Sequence, residues 1–181
     1  AQSKFKKESV LPHPMAKPLT IDHKMTGGEF VTQINNVVES IINEKRIEYG
    51  DRDDLEFILD AALDIPFLGT ISGVELSRVL SNLINNAVDA LPNGGQIRVS
   101  LRSNGRFVAI ILRDNGCGIP ENVLSRIGEK GFSFGKAGSQ SGSGLGVFHA
   151  MSVIRAIGGD VTIQSQVDVG TIVTLLIPQK N

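Results

Sequence analysis

The chain has 181 residues, 41% of them hydrophobic and 20% charged, which fits a globular domain with one sizeable core. A net charge of −1 leaves no basic field to draw nucleic acid. No apolar run approaches a membrane span, no secretory signal pattern is read at the start, and the one cysteine, Cys117, fits a reducing cytoplasm.

Residues 1–25 contain Pro12, Pro14 and Pro18, which forbid a continuous helix, so this stretch reads as a tail or linker and residues 26–181 as the domain. Thr26-Gly27-Gly28-Glu29 has the form of a capping box. It predicts a helix whose apolar stripe is Phe30, Ile34, Val37, Val38, Ile41 and Ile42, fading near Tyr49-Gly50. LEFIL, residues 55–59, reads as a strand. Ser72-Gly73-Val74-Glu75 is a second capping box, opening a helix to about Leu91 that Asn93-Gly94-Gly95 breaks. Strands over 96–103 and 106–114 flank Asn104-Gly105, a hairpin signal. After a glycine-rich stretch, residues 145–157 read as a helix ended by Gly158-Gly159. Strands over 160–166 and 171–177 follow, joined at Asp168-Val169-Gly170. Hairpin-linked strands with three helices predict an α+β fold: a mixed, mainly antiparallel sheet covered on one face, as a two-layer α/β sandwich.

Three segments carry candidate chemistry. In ELSRVLSNLINNAVDAL, Asn82, Asn86 and Asp89 recur at spacings of four and three, so they share one helical face. A solvated face explains them; so does a neutral carbonyl oxygen offered to Mg²⁺, which keeps waters and takes its other oxygens from phosphates. DNGCGIP, residues 114–120, ends a strand. Asp114 can accept a hydrogen bond from an amino group, and Gly116 and Gly118 let a flat ligand approach the main chain. An ordinary turn also accounts for them, with Cys117 as a small packing residue inside it. The third segment, GFSFGKAGSQSGSGLGVFHA, reads as a mobile loop that runs into a helix. Its N–H groups and helix dipole favour an anion; Gly142, Gly144 and Gly146 clear space, and Lys136 adds a positive charge. A flexible connector has the same look, and Phe132 and Phe134 serve equally as core anchors.

Taken in order, NLINNA, DNGCGI, GFSFGK and GSGLG resemble the catalytic ATP-binding domain of sensor histidine kinases. That family stands with the gyrase, heat-shock chaperone and mismatch-repair ATPases, and the resemblance covers about residues 30–178. It implies the Bergerat ATP-binding sandwich with a mobile lid. It implies Mg²⁺ on the Asn86 side-chain oxygen, Asn82 at the phosphate end, and Asp114 on the exocyclic amino group of adenine. Gly116 and Gly118 would shape the adenine pocket, with Thr171 of Gly170-Thr171 supporting it. Lys136 would approach the phosphates, and Gly142, Gly144, Leu145 and Gly146 would surround the triphosphate. The cofactors implied are ATP and Mg²⁺. The partners implied are the protein's own dimerisation and phosphoacceptor domain and a cognate response regulator, with no nucleic acid and no membrane contact by this part. A monomeric fragment of a homodimeric, cytoplasmic or membrane-anchored protein follows from the same likeness.

Related hydrolases carry a glutamate where this chain has Asn82, and an amide is no general base. That disfavours gyrase-type hydrolysis and favours transfer to a histidine. A nucleotide-binding regulatory module without transfer activity is the other reading. Two departures stand out: Asp89 occupies a place where many relatives have a lysine or arginine, and Lys136 follows Phe134-Gly135 rather than a Ser/Thr-Thr pair. No phosphoacceptor motif is found. His13 lies between prolines, His23 precedes Lys24, and His149, just inside the last helix, suits a local polar contact. The expectation is that this chain binds Mg–ATP but does not phosphorylate itself efficiently.

Overall fold

The computed structural model describes residues 30–61, 66–129 and 145–180. Strand β1 (Thr32–Gln33) leads directly into helix α1 (Ile34–Glu48). Strands β2 (Leu55–Asp60) and β3 (Leu68–Gly69) precede helix α2 (Gly73–Asp89). The hairpin of β4 (Gly95–Ser103) and β5 (Phe107–Asp114) is followed by a short helix, α3 (Glu121–Leu124). Helix α4 (Leu145–Ala156) and the hairpin of β6 (Asp160–Gln166) and β7 (Gly170–Pro178) complete the order.

Five strands form one sheet in the order β2-β4-β5-β7-β6, while β1 and β3 make a separate antiparallel pair. β2 and β4 run parallel because α2 lies between them in the chain; every other pairing in the large sheet is antiparallel. This is the mixed, mainly antiparallel sheet expected from the sequence. Alternation sets which face is covered. On β5, Val108, Ile110 and Leu112 are buried; on β7, Val173, Leu175 and Ile177 are buried. Leu112 faces Val99 across one ladder and Val173 across the other. Over them lies α2, burying Leu76, Val79, Leu80, Leu83, Ile84, Ala87 and Val88, with α1 and α4 on either side. Among the described residues no helix is long and apolar enough to cross a membrane.

The first helix begins later than its sequence signal. Phe30 is 54% exposed and lies outside α1, and the Thr26–Glu29 box falls outside the described residues. Pairing of Thr32 with Gly69 and of Gln33 with Leu68 keeps this stretch extended, and the Ile34 N–H donates to Phe67 O at 2.8 Å. Tertiary pairing has overridden the local pattern. In the rest of the stripe Ile34, Val38, Ile41 and Ile42 are buried, and Val37 is half-buried against the core. At the second box α2 does start after Ser72, but the Ser72 side chain makes no capping bond.

Candidate functional site

Asp114 continues the inward-facing row of Val108, Ile110 and Leu112. Its carboxylate therefore points where a core side chain would, and the residue is only 3% exposed. Oδ1 accepts the Gly116 N–H at 2.9 Å, closing an Asx turn, and the Thr171 N–H at 3.2 Å. Burial pushes the carboxyl pKa above its ordinary value, and those two N–H bonds partly oppose the rise.

Thr171 likewise stands in the inward row of β7, ahead of Val173, Leu175 and Ile177, and is buried. Its hydroxyl lies 2.9 Å from Ser165 Oγ on β6. Ser165 also accepts the Ile119 N–H at 2.8 Å and donates to Gly170 O at 3.1 Å. One hydroxyl thus ties the 114–120 turn to the β6–β7 hairpin. Sequence reasoning missed Ser165; its register opposite Thr171, a cross-strand hydroxyl pair, is the signal that only the sheet reveals.

The glycines of the turn have a structural reason of their own. A Cβ at Gly116 would stand 2.4 Å from Ala90 O, and at Gly118, where φ is +68°, 2.1 Å from Gln166 O. Close packing of main chain on main chain demands both. Cys117 corrects an expectation: its side chain is exposed instead of packed. Its main chain holds the turn, donating to Ala90 O at 3.0 Å and accepting the Asp168 N–H at 2.9 Å. Asn115 Oδ1 accepts the Gln96 N–H at 2.7 Å, which fixes the turn to β4.

Ala90 connects the two halves of the site. It caps α2, and its N–H donates to Asn86 O at 3.2 Å, so Asn86 lies one turn from the contact with Gly116. Asn82 and Asn86 are half-buried. In the first turn of α4, a Cβ at Gly146 would lie 3.5 Å from Asn82 Cβ and 3.9 Å from Asn86 Nδ2. The fold therefore gathers Asn82, Asn86 and Gly146 at one place, and Asp114, Gly116, Gly118 and Thr171 at the next. Leu145 opens α4. Lys136, Gly142 and Gly144, with His13 and His23, lie outside the described residues.

Beside Asn86, Asn85 Oδ1 accepts the Tyr49 hydroxyl at 3.2 Å, joining α1 to α2. Burial foremost, then the Glu48 and Asp89 carboxylates, raises the Tyr49 pKa, so this hydroxyl stays a donor. Asp89 itself is exposed. Among the described residues no three His, Cys, Asp or Glu side chains gather as a metal cage. The donor set at Asn86 is instead a neutral amide oxygen, suited to a hard cation that brings most of its oxygens with it.

The model of the family described as histidine kinase-, DNA gyrase B- and HSP90-like ATPase matches residues 72–181. The sensor protein CreC of Escherichia coli (strain K12) is 36% identical over 100 residues, covering 55% of this chain and 21% of its own length. The chain thus spans about a fifth of that relative. The solved mycobacterial sensor histidine kinase MprB aligns with a TM-score of 0.70 at 23% identity, over 84% of this chain and 99% of that one. Full-length ShkA in complex with AMPPNP aligns with a TM-score of 0.69 at 19% identity, over 83% of this chain and 31% of that one. At such identities these two structures establish the fold alone. The chain belongs to the histidine kinase-, DNA gyrase B- and HSP90-like ATPase family, within which it is like the catalytic ATP-binding domains of two-component sensor histidine kinases.

Proposed function

We propose that this chain binds Mg–ATP and transfers its γ-phosphoryl to a histidine on a dimerisation domain that these residues do not include. The observation that carries the reading is the buried Asp114 carboxylate, whose Oδ1 is held by two main-chain N–H groups next to the Asn82–Asn86–Gly146 cluster. With Oδ1 so engaged, Oδ2 is the oxygen to receive the exocyclic amino group of adenine. A guanine presents a carbonyl oxygen there, and two opposed acceptors cost about 1–3 kcal/mol. Gly116 and Gly118 hold the turn against α2 and β6, and Thr171 holds Asp114 in place.

The phosphates are assigned to the other half. Asn86 would hold Mg²⁺ through its amide oxygen, and Asn82 would line the phosphate end. Gly146, with Gly142, Gly144 and Leu145 before it and Lys136 further upstream, would surround the triphosphate. When bound, the cation neutralises charge on the phosphoryl oxygens. What the chain supplies is alignment and exclusion of water. Asn82 offers no base to a water molecule, so attack is left to the lone pair of a neutral imidazole. On this reading residues 1–25 belong to the connection with the dimerisation domain, a response regulator takes the phosphoryl group onward, and the catalytic part works in the cytoplasm.

The test is to mix the chain with labelled ATP, Mg²⁺ and the dimerisation domain of the full-length protein. Acid-labile phosphohistidine on that domain, lost in Asn86→Ala, is expected. ATP binding without any transfer would favour a regulatory module, and steady phosphate release without label would favour a hydrolase.

A further inference from the structure

We propose that His149 is a positioning residue for the nucleotide site: its contact with Glu75 holds α4 against α2, and with it the place where Gly146 meets Asn82 and Asn86. The inference rests on the ATP-site reading above. Two contacts on one side of α4 carry it. Gly146 meets Asn82 and Asn86. Three residues later, His149 Nε2 lies 3.2 Å from Glu75 Oε2. Glu75 and Asn82 are seven residues apart, two helical turns, and so share a face of α2. The stretch of α4 that approaches the asparagines is therefore the stretch that His149 can fasten or release.

The bond is incomplete as it stands. Nε2 is buried and has no hydrogen-bond partner, although Glu75 Oε2 lies 3.2 Å away. An imidazole with both nitrogens protonated donates from each and carries the charge that draws Glu75 into line. Among the described residues Glu75 is the carboxylate within 4.0 Å of this ring. Arg78, three residues from Glu75 and exposed, is the cation placed to compete for it. On the sheet side of α4, Arg155 already pairs with Asp160 at 3.8 Å. His149 and Glu75 side chains are 28% and 39% exposed, so screening limits the effect to about threefold in affinity.

The experiment measures binding of a fluorescent ATP analogue in saturating Mg²⁺. It uses the unaltered chain, His149→Gln, His149→Lys and Glu75→Gln, each checked for folding by circular dichroism. The expected result is binding about threefold weaker in His149→Gln than in the unaltered chain. His149→Lys should retain the affinity of the unaltered chain, and Glu75→Gln should lose as much as His149→Gln. Equal affinity of the unaltered chain and His149→Gln would overturn the proposal while leaving the ATP site standing. Absence of binding by the unaltered chain would remove the ATP-site reading, and this inference with it.

Discussion

At the scale of single residues, Asp114 sets function against stability. A carboxylate in the core row of β5 is costly when ionised, as its raised pKa reflects. Between its ordinary value of 3.8 and the raised one, the folded chain keeps a proton that the unfolded chain has released. Stability therefore falls as pH rises across that window, and the deficit is complete above it. Asp114→Asn keeps an oxygen for the Gly116 and Thr171 N–H groups and removes the charge. It should melt at the same temperature as the unaltered chain or higher at pH 7, lose the Asp114 part of the acid-side slope, and bind ATP at least about tenfold more weakly. Thermal melts from pH 3.5 to 7.5, with binding assays beside them, check this. Much of that residue's importance is legible in the sequence, since Asp114 ends a strand pattern and opens the glycine-bearing turn 114–120. Ser165 is not, because its hydroxyl acquires meaning only when the β6–β7 register sets it opposite Thr171.

Among the elements, α2 ties the site together: its half-buried asparagines meet α4, and its last turn carries the 114–120 turn. Two glycines separate packing from ligand space. At Gly170, φ is +124° and a Cβ would lie 2.1 Å from Asp114 O. Gly170→Ala should lower stability by at least about 2 kcal/mol in denaturant unfolding. At Gly146 the nearest contact of a Cβ is an ordinary 3.5 Å. Gly146→Ala should fold as well as the parent, helped by helix propensity, while Mg–ATP affinity drops because the methyl group covers the face of Asn82 and Asn86. Equal affinity would argue against phosphates at that place. Element identity was readable wherever a face repeats, as along α2. The start of α1 was not, because a two-residue pairing of β1 with β3 decides it, and so short a ladder has no period to detect. Nor was α3, four residues long, for the same reason.

For the whole molecule, the sandwich brings Asp114 and Thr171, at one end of the interior strands β5 and β7, beside Asn82 and Asn86 in the second half of α2 and Gly146 at the start of α4. The order of the four motifs along the sequence carries the family resemblance. What they touch did not follow from that order: Gly116 and Gly118 press on Ala90 and Gln166 main chain, and Cys117 faces outward. The central claim is that the Asp114 half and the Asn82–Asn86 half hold the two ends of one nucleotide. Calorimetric titration of the folded chain with ATP measures this most directly. Uptake at one site is predicted, tightened by Mg²⁺, weakened in Asn86→Ala, and at least about tenfold weaker for GTP. Folded chain that takes up no adenine nucleotide in excess Mg²⁺, or takes up GTP equally well, would contradict it.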